Sequence, residues 1–123
     1  MTKLLFLLAA PLMTSFLLLA SPSAHAQRCQ QDVDQAANQI FEQRNWTYRS
    51  LNYLHEGQVR SLLIESSLLD QNQRDEIRSY LDRGQSEFYL ASGTNDLSAR
   101  IKDLIVVDRM DCSISDDYLA DER

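Results

Sequence analysis

Past the first 26 residues, apolar positions recur mostly at three- and four-residue spacing rather than at every second place. From Gln30 to Arg44 the stripe is Val33, Ala36, Ala37, Ile40 and Phe41, with Asp and Gln between. That spacing predicts an amphipathic helix. Asp32 and Asp34 stand near its start, where the helix dipole favours carboxylates. Asn45-Trp46-Thr47-Tyr48 then gathers aromatic and β-branched residues, and the helix is expected to break there. Leu51, Leu54, Val59, Leu62, Leu63 and Leu69 continue the helical stripe, with Gly57 as the joint between two pieces.

The clearest helix start follows. Asp70 can cap it and Gln73 can reach back, forming a capping box. Ile77, Leu81, Gly84, Phe88 and Ala91 then fall at spacings of 4, 3, 4 and 3, a narrow coiled-coil-like stripe. It predicts one long helix through Gly84 to Ser92, with Gly84 at a close approach to a neighbouring helix. A rival reading ends the helix at Gly84 and makes Phe88-Tyr89-Leu90 a short strand. Gly93-Thr94-Asn95 reads as a turn, with Gly93 as helix stop. Leu97, Ile101, Leu104, Ile105 and Val107 predict a last helix ending near Met110. Ile105-Val106-Val107 is β-prone, but no partner strand is evident beside it. Ser113 to Arg123 carries Asp116, Asp117, Asp121 and Glu122 and reads as an acidic, flexible tail. The expected fold class is therefore all-α, a small bundle of about four helices.

The amino-terminal stretch changes the setting. Lys3 precedes an apolar run from Leu4 to Ala20, and Ser21-Pro22-Ser23-Ala24-His25-Ala26 ends in an Ala-x-Ala pattern. This is the pattern of a signal peptide cut after Ala26. The domain plan is then a cleaved signal over 1–26, one helical domain over 27–112 and the tail over 113–123. The expected location is the periplasm, or outside the cell if the protein is secreted. In such an oxidising compartment the only two cysteines, Cys29 and Cys112, are expected to pair. The bracket closes a loop of about 84 residues, for which chain entropy gives about 4–5 kcal/mol as an upper figure.

Charge narrows the partners. The chain carries −6, and loss of Lys3 with the signal leaves −7. Such a surface repels nucleic acid and anionic lipid and suits a protein partner, a basic one in particular. No membrane contact is expected once the signal is gone. Both prolines leave with the signal, and the Leu, Gln, Arg, Glu and Ala that remain favour helix.

Chemistry is mostly excluded. His55 is the only histidine after Ala26, so neither zinc ligation nor Cys/His catalysis has its parts. Glu56, Glu65 and Glu87 are formally available for two-carboxylate hydrolysis, but an acidic chain always brings some pair together. Asp108 with Asp111, or Asp116-Asp117 with Asp121, can cluster, yet neither fits the calcium loop with its central glycine. The expectation is no enzyme, no cofactor and no metal. Aromatics flanked by arginine are enriched at protein-binding hot spots, so the candidate interaction patch is Trp46, Tyr48, Tyr53 and Tyr89 with Arg44 and Arg49.

Leu69-Asp70-Gln71-Asn72-Gln73 is similar to the Leu-Thr-x-x-Gln helix start of small periplasmic helical chaperones. The match covers five residues and departs at Asp70. A capping box alone generates it, and no family is assigned on it. The functional expectation is an exported acidic binding protein that engages another envelope protein, as an inhibitor or immunity partner does. A periplasmic chaperone or envelope-stress protein is the first alternative and a low-affinity cation binder the second.

Overall fold

A computed structural model describes residues 28–122, so the expected signal peptide lies outside the described residues. The order of elements is α1 (Gln30–Gln43), β1 (Thr47–Leu54), α2 (Glu56–Glu65), α3 (Gln71–Arg83), β2 (Ser86–Thr94), β3 (Arg100–Asp108) and β4 (Ile114–Glu122). This corrects the all-α expectation: the fold is α+β, with three helices and a four-stranded antiparallel sheet in the order β1-β2-β3-β4.

Helices α1 and α3 follow the sequence signals, but the helical stripe expected through Leu51 and Leu54 is corrected: these residues lie in strand β1, and Gly57 lies in the first turn of α2 and is no joint between helices. At the start of α3, Asp70 accepts from the Gln73 backbone N–H at 2.8 Å, and the Gln73 side chain accepts from the Asp70 N–H at 3.0 Å. The helix then stops at Gly84, whose φ of 67° lies in the left-handed region that glycine enters freely. A Cβ at Gly84 would meet nothing within 4 Å, so Gly84 ends the helix and does not mark a close helix contact.

Beyond Gly84 the expected long helix is β2, and the expected last helix is β3. The two pair along their whole length, with Phe88 opposite Val106, Tyr89 opposite Ile105 and Leu90 opposite Leu104. β3 lies between β2 and β4 and is buried on both faces from Asp103 to Val107, so Leu104 to Val107 form one apolar run. An unbroken run fits a helical period as well as an extended one. The expected flexible tail is also corrected: it forms β4, hydrogen-bonded to β3 and burying Tyr118 and Ala120.

One face of the sheet is covered by α1, which lays Val33, Ala37 and Phe41 on Tyr89, Ala91, Ile101, Ile105 and Val107. The other is covered by α2 and α3, whose Val59, Leu63, Ile77 and Leu81 meet Leu54, Phe88, Leu104, Val106 and Tyr118. Each large side chain buried this way contributes about 1.5–3 kcal/mol. Gly93 lies within β2 opposite Tyr48 and is not a helix stop. A Cβ there would fall 2.0 Å from the Thr47 carbonyl oxygen and 2.8 Å from the Phe41 ring. Glycine at this position lets α1 seat Phe41 against the sheet.

The Cys29–Cys112 disulfide is present, with Cα atoms 5.2 Å apart. It joins the start of α1 to the turn between β3 and β4. The opposite end of α1 is held by charge: Arg44 reaches Asp103 on β3 at 3.7 Å and Asp117 on β4 at 3.1 Å.

Candidate functional site

The two faces of the sheet are not covered equally. Helices α2 and α3 stop at the rows holding Leu90 and Leu104, while the strands run on to Thr47, Thr94 and Arg100. Strand alternation turns Ser50, Ser92, Thr94, Arg100 and Lys102 to this uncovered face. They are in register, with Ser50 opposite Ser92, Ser92 opposite Lys102, and Thr94 opposite Arg100. A bulge between Tyr48 and Ser50 frees Arg49 from the pairing, and bulges of this kind re-aim a side chain. Arg49 and the five face residues line a half-open groove of about 540 Å³.

The charge of this groove runs against that of the chain. Elsewhere the described cations are engaged. Arg28 donates to the Met110 carbonyl and Arg74 to those of Leu63 and Ser66. Arg60 pairs with Glu56, and Arg78 with Asp75. Arg83 lies over the Tyr80 ring, and Arg109 donates to the Gly84 carbonyl. Arg49, Arg100 and Lys102 make no ion pair or side-chain hydrogen bond among the described residues, and all three line the groove. Asp121 on β4 stands opposite Lys102.

On the other face of the same sheet end, the structure brings together three of the residues expected to form an interaction patch. The Arg44 guanidinium lies over the Trp46 ring at 5.0 Å, and the Trp46 and Tyr48 rings each meet Phe41 edge-on at 5.5 Å. The Tyr48 hydroxyl donates to Asp34. Trp46 and Tyr48 are half-buried and Arg44 is exposed, so the cluster has an anchored inner side and an open outer one. Arg49 lies in the groove. Tyr53 is at the far end of β1, edge-on to Tyr89 at 5.5 Å and to His55 at 5.2 Å. Tyr89 is fully buried and presents no surface, which corrects its place in the expected patch; its hydroxyl donates to the buried Glu87 at 2.8 Å.

Beneath Arg44 lies a pair of carboxyls, Asp103 buried and Asp117 half-buried. Asp103 is completely buried. Burial, then the neighbouring Asp117, pushes its carboxyl up to about 9, against the opposing pull of Arg44. One guanidinium, itself partly exposed, does not neutralise two close carboxylates of which one is fully buried. Neither Asp103 oxygen meets a hydrogen-bond donor, its nearest cation being Arg44 at 3.7 Å, and the adjoining Asp117 carboxyl favours the protonated form of Asp103.

The remaining sequence candidates are dispersed. Glu56 is paired with Arg60, and Glu87 is bound to Tyr89. Asp108 accepts from the Met110 N–H and Asp111 from Ser113, so both shape the β3–β4 turn. His55 sits at the start of α2, where its N–H donates to Gln58 at 2.7 Å. Among the described residues no group of three or more acidic, histidine or cysteine side chains could hold a metal ion, and no helix is long and apolar enough to cross a membrane.

Of the groove residues, only Arg49 belongs to the interaction patch expected from the sequence. The signal for the others is the alternation Arg100-Ile101-Lys102-Asp103, in which both cations fall on one side of an extended chain. A search of protein-family models, curated proteins and solved structures finds no match to this chain.

Proposed function

We propose that this chain is an exported, non-enzymatic binding protein that docks another protein of its compartment, as an inhibitor or immunity partner does. The open end of the sheet is the docking surface. The observation that carries this reading is the convergence of Arg49, Arg100 and Lys102, none of them ion-paired among the described residues, on one uncovered groove of an acidic chain. Charge held in one place steers encounter and selects partners of opposite sign. The half-exposed Arg44–Trp46 stack on the facing side supplies aromatic and arginine contact of the kind that anchors protein interfaces. The disulfide suits an oxidising compartment.

A pull-down from envelope extract tests it, using the oxidised protein beside an Arg49→Glu/Arg100→Glu variant. One dominant partner of fixed stoichiometry, lost with the variant and at high salt, is the expected result. A broad set of unrelated clients, held equally by both proteins, refutes it in favour of a chaperone. A second reading keeps the partner basic and places contact on the carboxylates of α1 and β4, among them Asp32, Asp34 and Asp116. In that case the variant retains its partner and binds it faster.

A further inference from the structure

The three groove cations stand on two strands, β1 and β3, separated by β2. Arg100 and Lys102 are two residues apart on one face of β3, so their Cα atoms lie about 6.6 Å apart along the strand. Arg49 is on β1, two strands away across β2, which is about 10 Å at the usual strand separation. The Arg100–Lys102 interval matches a ligand that carries anionic groups at strand-like spacing, each within reach of one charge-assisted hydrogen bond.

An extended peptide has that spacing. Its alternate side chains share one side and repeat every 6.6 Å or so, the interval between Arg100 and Lys102. The groove wall supplies short polar side chains, Ser50, Ser92 and Thr94, which donate to backbone carbonyls or carboxylates without crowding. Its volume of about 540 Å³ is in the range of ordinary ligand sites. On these grounds we infer that the groove binds an extended acidic segment of the partner protein, with Asp or Glu at alternate positions. Arg100 and Lys102 take successive alternate carboxylates, and Arg49, to the side at the bulged edge, adds positive charge to the same groove. The inference rests on the docking role proposed for this end of the sheet and specifies the chemistry of the partner.

The test is direct titration of the disulfide-intact protein with a short peptide alternating serine and glutamate, followed by calorimetry at low and high salt. Inorganic pyrophosphate and a serine–lysine peptide are the comparison probes. The expected result is salt-sensitive binding of the glutamate peptide, weakened at least tenfold or so by Arg100→Glu/Lys102→Glu, which is about 1.4 kcal/mol. Arg100→Lys retains most of the binding, and Arg78→Glu, on α3 away from the groove, leaves it unchanged. Matching circular dichroism spectra and melting temperatures exclude misfolding of the variants. The inference falls if the glutamate peptide fails to bind at low salt, if binding survives the double reversal, or if pyrophosphate binds more tightly. It falls equally if sedimentation shows a dimer that the reversal disperses, since the groove then holds a second copy of the chain. The two readings fail separately. A partner captured from extract independently of the groove cations leaves the docking role and removes this inference. Peptide binding without any captured protein does the opposite.

Discussion

Asp103→Asn replaces a buried carboxyl by a neutral group of nearly the same shape, and the structure gives both the sign and the size of the effect. Asp103 has no exposed surface, and its carboxyl is raised from an ordinary 3.8 to about 9. The unfolded chain therefore releases this proton near pH 4 while the folded chain keeps it. A folded value above the unfolded one means stability that is complete below pH 3.8 and lost progressively as pH rises through the folded value. The slope is at most about 1.4 kcal/mol per pH unit. Between about pH 5 and 7 this one group lowers stability by about 2–3 kcal/mol. Asparagine cannot ionise, and its amide can still donate to Asp117. The variant is expected to match the wild type near pH 4 and to exceed it by about 2–4 kcal/mol at pH 7. Urea denaturation at three pH values across this range reads both curves, with urea chosen because it adds no ionic strength. A variant less stable than wild type at pH 7 would refute the reasoning, provided wild-type stability also rises with pH. Asp103 would then be an anion stabilised by Arg44 and not a retained acid.

Three further outcomes follow from the same geometry. Replacing Cys29 and Cys112 by alanine is expected to cost up to about 4–5 kcal/mol, read as a lower denaturation midpoint that reductant no longer changes. Gly93→Ala drives a Cβ to 2.0 Å from the Thr47 carbonyl and is expected to cost about 3 kcal/mol or more. Gly84→Ala meets open space and loses about 1 kcal/mol for its left-handed backbone alone; equal losses for the two would contradict the register of β1 on β2. Ser66→Ala removes the buried hydroxyl that donates to the Ala120 carbonyl, with an expected loss of about 1–3 kcal/mol. Amide exchange should quicken in β4 well before it does in β2.

The sequence carried the helices well and the sheet poorly, for a physical reason. Each helix has local marks: the Asp70–Gln73 box opens α3, and a stripe from Val33 to Phe41 identifies α1. The strands have no such marks. Phe88-Tyr89-Leu90 reads as a strand only as the rival to a long helix, and Ile105-Val106-Val107 is β-prone with no evident partner; the two segments are partners of one another. Pairing is a tertiary fact, and a window that holds one strand cannot contain it. β4 was read as a tail because Asp116, Asp117 and Asp121 dominate its composition, while the residues that fix it, Tyr118 and Ala120, are few. The site followed the fold. Arg100 and Lys102 lie on separate sides of a helix but on one side of a strand, so the groove was invisible until β3 was recognised.

The position of the disulfide also decides how the molecule would yield to force. Cys29 and Cys112 enclose α1 through β3 in a covalent ring, and β4 is the one described element outside it. Tension applied at the two chain ends passes through the bridge and leaves the ring unloaded. The C-terminal strand alone bears it, pulled from its last residue back toward Ser113. Under an extending load the oxidised protein would lengthen by about nine strand residues, some 30 Å, and then stop. The reduced protein has no such stop. Mechanically this is a short tether beside a locked body, and stripping the tether bares the free edge of β3.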